Sequence, residues 1–382
     1  MAGWRDVANI WKNVREVDLR PIRDQALRGA NIALVGDEGS GRRILAERLR
    51  RDPHRPESYT QTPVAIAGLD AEGDIAGADL LVLMIQAGVA DLRRQRAWAH
   101  ERTSAGNTVI VFYNREPAGL ESQTADLELA WDVASLVVAS VDDTDLLLRE
   151  FVPAVLKSLP EQHLSLARDY PLFRGPVAQE LINDTCFSNA AYALSTGIAE
   201  VVPVLDIPLN ITDMIVLTKA QAFLVYRLGL ALGFSTQWQD YVTEFGSVIG
   251  GGFLWRQVAR SLVGLIPVWG IVPKVAVAYA GTYVVGNVVL RWYLTGRHLS
   301  RKQIRELYRQ AFAQGKLVAQ NLLSKAPRPR LRGRKPEQLP ASSAATSAGE
   351  EAPEGQVCPN CGRISAADAK FCQYCGQPLS LA

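Results

Sequence analysis

Histidine is scarce in this chain. His54, His100, His163 and His298 lie far apart and none accompanies a nucleophile motif, so no catalytic triad is read from them. Cysteine is scarce as well: four of the five residues crowd into the tail, which fits a reducing cytoplasm. The fifth, Cys186, stands alone in an apolar stretch and reads as a buried packing residue. The opening stretch MAGWRDVANIWKNVREVDLR has no apolar core of the secretory type, so no signal peptide is expected. A deficit of hydrophobic residues, which would exclude a folded core, is not found. Of 382 residues 48% are hydrophobic and 21% charged, enough for two or three domains with real cores.

Net charge is only +2, yet it is unevenly spread. Residues 1–290 carry 26 basic and 33 acidic side chains. Residues 291–335 carry 13 basic side chains and a single acid, Glu306. The remainder, from 336 onward, has two basic and five acidic. A basic block of this kind points to an anionic partner, either a membrane surface or a nucleic acid.

The tail reads VCPNCGRISAADAKFCQYCGQPL. Cys358 and Cys361, then Cys372 and Cys375, form two C-x2-C pairs ten residues apart. A two-residue gap lets both thiolates of a tight turn face one ion, and the glycines that follow, Gly362 and Gly376, suit such turns. One structural zinc ion is expected here, supplying most of the folding energy of a segment too short to bury a core. A redox dithiol or two disulfides are the other readings of the spacing, but redox pairs normally occur singly beside a βαβ unit. The segment resembles the small zinc ribbons appended to many bacterial proteins. That resemblance implies a structural or interaction-mediating role, because four thiolates leave no open coordination position. Before it, proline, alanine, serine and charge dominate residues 326–356, which read as a disordered tether.

Near the other end, Asn31–Val35 is a short apolar run followed by GDEGSGRR, residues 36–43, and then an apolar-faced helix from Ile44. Strand, glycine loop, helix is the setting of a phosphate-binding loop. Further apolar runs at Val64–Ala67, Leu80–Ile85, Thr108–Tyr113 and Leu136–Ala139, with helical patterns at Leu92–Arg102 and Leu146–Leu159, predict a mostly parallel sheet covered on both faces. Residues 28–160 resemble the Era-like, translation-factor-related small GTPases. Gly36 and Gly41 take the two glycines of the loop motif, with Gly39 between them. Asp70 and Gly73 stand where D-x-x-G belongs, Asn114 opens NREP where N-K-x-D belongs, and Ala139-Ser140 stands where the family has its S-A turn.

The departures fall on catalytic positions. Arg42 replaces the lysine that the resemblance places on the β- and γ-phosphates, and Arg43 replaces the magnesium-binding hydroxyl. Asp37 and Glu38 add negative charge beside the phosphate position, and Pro117 replaces the aspartate that reads guanine. Only 34 positions separate Gly36 from Asp70, little room for a switch strand. The resemblance, so altered, implies a pseudo-GTPase. Any GTP would be held, without ordinary hydrolysis, by Gly36, Gly39, Gly41, Arg42, Asp70, Gly73 and Asn114, and no catalytic residue is assigned.

From residue 163 to 325 the pattern becomes helical, with long apolar stretches at Pro176–Leu205, Ile211–Phe234, Val248–Val263 and Ser261–Leu290. AEVVPVLDIPLNITDMIVLTKAQ and SLVGLIPVWGIVPKVAVAYAGTYVVG resemble the helical domain of unknown function that follows Era-like GTPase domains in many bacterial proteins. No catalytic residues come with that resemblance. Ile271–Leu290 is long enough to span a bilayer, with Lys274 and Asn287 its only strongly polar members and Gly281 and Gly286 on a small-residue face. Two readings stand: a bundle inserted in or docked on a membrane, and a soluble bundle with an apolar central helix.

The expected architecture is therefore an N-terminal amphipathic helix (1–20) with Trp4, Val7, Trp11 and Val14 on one face, then an α/β P-loop GTPase-like domain (21–162). An α-helical bundle (163–325), the linker (326–356) and the zinc ribbon (357–382) follow. The expected function is a non-enzymatic adaptor at the cytoplasmic face of a membrane, meeting a protein partner through the ribbon and an anionic surface through the basic block. A divergent GTPase and a zinc-ribbon nucleic-acid binder are the alternatives, the last weakened because no aromatic side chains punctuate 325–335.

Overall fold

In the computed structural model the described residues are 18–71, 75–89, 91–115, 131, 133–199, 211–240, 271–297, 299–325, 356–357 and 364–365. After a first helix, α1 (Arg20–Leu27), strand β1 (Ile32–Gly36) leads through the glycine loop into α2 (Arg42–Arg50). A short antiparallel hairpin follows, β2 (Arg51–Asp52) with β3 (Arg55–Tyr59). Then come β4 (Ala65–Ala67), β5 (Leu80–Gln86), α3 (Arg93–Ser104), β6 (Val109–Asn114) and β7 (Ser135–Ala139). The sheet order is β4-β1-β5-β6-β7 and every pairing is parallel.

The expected strands are all present, and their burial explains why they were readable. Every residue of β1 is buried, as are Leu80–Ile85 of β5 and Val109–Tyr113 of β6. A strand covered on both faces must be apolar throughout, so it appears as an unbroken run. Ala33, Val35, Leu81, Leu83, Val109 and Val111 pack with Trp98 and Ala99 of α3 on one face. On the other, Phe112 meets Phe151 edge-on with centroids 5.5 Å apart. Phe151 belongs to α4, residues 144–158, which includes a π turn at Leu147–Phe151. The β2–β3 hairpin was not expected. It lies in sequence between α2 and β4, and it pairs only with itself.

A helical region follows: α5 (His163–Asp169), a 3-10 turn (Pro171–Phe173), α6 (Arg174–Ala199), α7 (Ile211–Ala231), α8 (Ile271–Thr295) and α9 (Arg301–Lys325). The chain divides into two compact units. The first takes residues 1–183, 218–257 and 286–299, and the second 184–217, 258–285 and 300–382.

Within the first unit, buried Tyr170 donates to the Ala30 carbonyl at 3.0 Å, fastening the end of α5 to the start of β1. Arg168 Nη1 donates to the carbonyls of Leu230 and Phe234 at 3.1 and 3.0 Å, capping the C-terminus of α7. Gly286 of α8 admits Ile182 and Leu224, and an added Cβ there would lie 2.8 Å from Ile182 Cγ1. Within the second unit, Asn189 Nδ2 donates to Thr282 Oγ1 at 2.8 Å, so the two buried polar groups satisfy one another. At Gly315 the backbone of Ala276 approaches so closely that a Cβ would sit 2.9 Å away.

Val272–Thr295 has length and a mean hydropathy of 1.2 sufficient to cross a membrane, and half of it is buried by the protein itself. From Val272 to Leu290 no residue is exposed. Two further strands, β8 (Gln356–Val357) and β9 (Ile364–Ser365), pair antiparallel. They bracket residues 358–363, which include Cys358 and Cys361. The four cysteines, Gly73, Pro117, residues 1–17, the Val248–Val263 stretch and residues 326–355 lie outside the described residues.

Candidate functional site

The strand order reverses between β1 and β5, and in doubly wound sheets the crevice beyond the C-terminal strand ends at such a point is where ligands bind. The glycine loop leaves β1 there. Gly36 pairs with Met84 across the sheet, and a Cβ on Gly36 would come within 2.3 Å of the Met84 carbonyl oxygen. Only glycine fits. Ser40 Oγ donates to the Asp37 carbonyl at 2.8 Å, closing the turn on itself, and Gly39 lies beside the Gln86 amide. Gly41, with φ 94°, is the N-cap of α2; no side chain caps that end, and its first backbone N–H groups carry the positive end of the helix dipole.

Asn114 ends β6 and braces the loop. Its Nδ2 donates to the Ser40 carbonyl at 3.2 Å, and its Oδ1 accepts from the Val141 N–H at 3.1 Å. One amide thus ties the loop to the turn that follows β7. The contact also explains Gly41, where a Cβ would lie 2.7 Å from Asn114 Nδ2. Ser140 is buried in that same turn.

Side chains at the loop mouth are committed to protein groups. Arg42 Nη1 donates to the Ala67 carbonyl at the end of β4. Asp70, three residues beyond, receives a hydrogen bond from Arg94 Nη2. Arg94 Nη1 also stands 4.0 Å from Asp37 Oδ1, so one guanidinium draws together the acids of the loop and of the segment after β4. The bond to Asp70 raises the Arg94 pKa, with the charge of Asp37 a smaller contributor, so Arg94 stays cationic there. Gln95 Nε2 donates to Asp37 Oδ2 at 3.0 Å, while its buried Oε1 meets no partner among the described residues.

Comparison with protein-family models, curated proteins and solved structures yields no match.

The structure brings Gly36, Gly39, Gly41, Arg42 and Asn114 together around the loop, and Asp70 reaches it through Arg94. Arg43 is exposed in the first turn of α2. Among the described residues no three His, Cys, Asp or Glu side chains converge as a metal site. Sequence reasoning missed Arg94 and Gln95, which meet Asp37 across more than fifty residues. The run RRQR at the start of α3 was the only local sign of them.

Proposed function

We propose that this protein is a pseudo-GTPase adaptor working at the cytoplasmic face of a membrane, with a C-terminal zinc ribbon as its contact for a protein partner. The observation that carries this reading is the commitment of Arg42 to the Ala67 carbonyl and of Arg94 to Asp70. In an active site of the resembled family, the first position grips phosphate and the second holds the magnesium shell. Here both are closed by internal bonds. The loop backbone suits a phosphate, but the side chains do not suit a magnesium ion, since Arg43 offers no hydroxyl and Asp70 is engaged by a guanidinium.

The chemistry of the tail supports the ribbon: four thiolates at paired two-residue spacing suit a closed tetrahedral zinc site. The β8–β9 pairing supports it too, because it would hold the first pair, Cys358 and Cys361, in one short connection. The membrane face is supported by the 13 basic residues and single acid of 291–335, a block that begins in the last turns of the apolar α8.

A second reading has its own support. The braced loop, with Asn114 tied to Ser40 and the α2 N-terminus open, suits a divergent nucleotide binder that does not hydrolyse. Titrating GTP and GDP by calorimetry, with and without magnesium, separates the two. The adaptor reading expects no heat of binding and no magnesium-dependent GTP turnover above a buffer blank. Changing Arg42→Lys and Arg43→Ser together should not restore turnover, because Pro117 still leaves guanine unread. Wild-type turnover that Arg42→Ala abolishes would falsify it.

A further inference from the structure

Helix α9 holds six basic residues and one acid. Its inner side is fixed by burial of Tyr308, Ala311, Gly315 and Ala319, with Gly315 pressed on the Ala276 backbone. That packing determines which side chains face out. Lys302, Arg305, Arg309 and Lys316 recur at helical spacing and form one row about 21 Å long, and all four are exposed. Glu306, the helix's only acid, is already used by Arg309, whose Nη2 lies 2.6 Å from its Oε2. Two apolar groups adjoin the row, one beneath it and one on the outer side of the helix next to it. Lys316 Nζ lies 5.0 Å from the centroid of the Phe312 ring, and the neighbouring Leu317 is 59% exposed.

We infer that this face of α9 is a docking surface for an anionic lipid bilayer. The inference rests on the membrane-face reading above and names the surface that would make the contact. Charge complementarity sets the sign of the partner. The choice of lipid over a polynucleotide follows from two features. Leu317 offers an exposed aliphatic group to a headgroup boundary, while Phe312 lies half-buried beneath Lys316 and presents no open ring for a base to stack on. Lysine and arginine stems can lie along the acyl boundary while their charged ends meet lipid phosphates and carboxylates.

The test is co-sedimentation of the full chain with vesicles of phosphatidylcholine alone and of phosphatidylcholine with about one-third phosphatidylserine. Wild type should bind only the anionic vesicles, and rising salt should release it. The triple variant Lys302→Gln, Arg305→Gln, Lys316→Gln should bind roughly tenfold to a hundredfold more weakly. Glutamine keeps helix propensity at these exposed sites, and an unchanged circular dichroism spectrum checks the fold. A control removes the same charge elsewhere, by Arg20→Gln, Arg23→Gln and Arg93→Gln, whose side chains are 75%, 40% and 91% exposed. The control should bind as wild type does. Equal loss in both triples means bulk charge and overturns the inference, as does an α9 triple that binds normally. Wild type that ignores anionic vesicles, or that prefers duplex DNA or RNA at equal salt, also overturns it. GTP turnover assayed on the same preparations decides the pseudo-GTPase reading independently.

Discussion

Asn114 and Tyr170 show how much of this architecture hangs on single side chains. Asn114 spends its amide on Ser40 and Val141, so the loop is tied to the turn after β7 by the protein's own groups. Tyr170 spends its hydroxyl on the carbonyls of Ala30 and Pro63, and burial pushes its pKa from 10.0 up to about 12. The sign of the pH effect follows. Burial favours the neutral phenol, so the folded state holds the proton more tightly than the unfolded chain does. Stability is complete below pH 10, where the unfolded chain begins to ionise, and is lost progressively as pH rises to about 12. The loss attributable to this group is about 3 kcal/mol. Urea unfolding across that window should show wild type weakening while Tyr170→Phe, destabilised by about 1 kcal/mol at neutral pH, weakens less steeply. Parallel slopes for the two proteins would remove Tyr170 from the account. Neither role could be read locally, because Tyr170 and Ala30 lie 140 residues apart in the chain.

At the scale of elements, legibility tracked burial. β1, β5 and β6 declared themselves as unbroken apolar runs because water reaches neither face. The β2–β3 hairpin, spelled RDPHRPESY over residues 51–59, is polar and half-exposed, so nothing in its periodicity marked it. The glycine loop was legible by its spacing, and the structure adds the reason for each glycine. Gly36→Ala should destabilise by about 3 kcal/mol, since the new methyl meets the Met84 carbonyl, a backbone atom that can move only with the sheet. Gly68→Ala is the matched control: its Cβ would enter open space at an ordinary φ, and its effect should stay within about 0.5 kcal/mol. Thermal melts of both variants check this. A silent Gly36→Ala would mean that β1 and β5 are not in the register described. The helices were readable in existence but less so in environment. α8 carries an apolar composition that serves equally in a bilayer or in a protein core, and half of it is buried by the chain itself. Composition alone does not separate those solvents.

For the molecule as a whole, the ribbon and the body should behave as separate thermodynamic systems. The body folds on buried apolar area: a five-stranded sheet with covered faces, and helices locked by close approaches at Gly286 and Gly315. The tail has no such resource. Between Cys358 and Cys375 stand few apolar side chains, and under the proposed zinc assignment a segment of that size would gain its folding energy from the metal. The intervening residues 326–356, rich in proline, alanine and serine, carry no apolar periodicity that would couple one to the other. The purified protein should therefore contain close to one equivalent of zinc. Cys358→Ser with Cys375→Ser should remove it, because two thiolates hold zinc far less well than four. That variant should keep the wild-type melting temperature, since the sheet and helices lose nothing they use. A chelator should strip zinc faster as pH falls, because protons compete for the thiolates. Elemental analysis and melting curves on the same samples decide the matter. Zinc content that survives the double substitution would sink the metal assignment. A melting temperature that falls with the metal would show instead that the tail is part of the folded body.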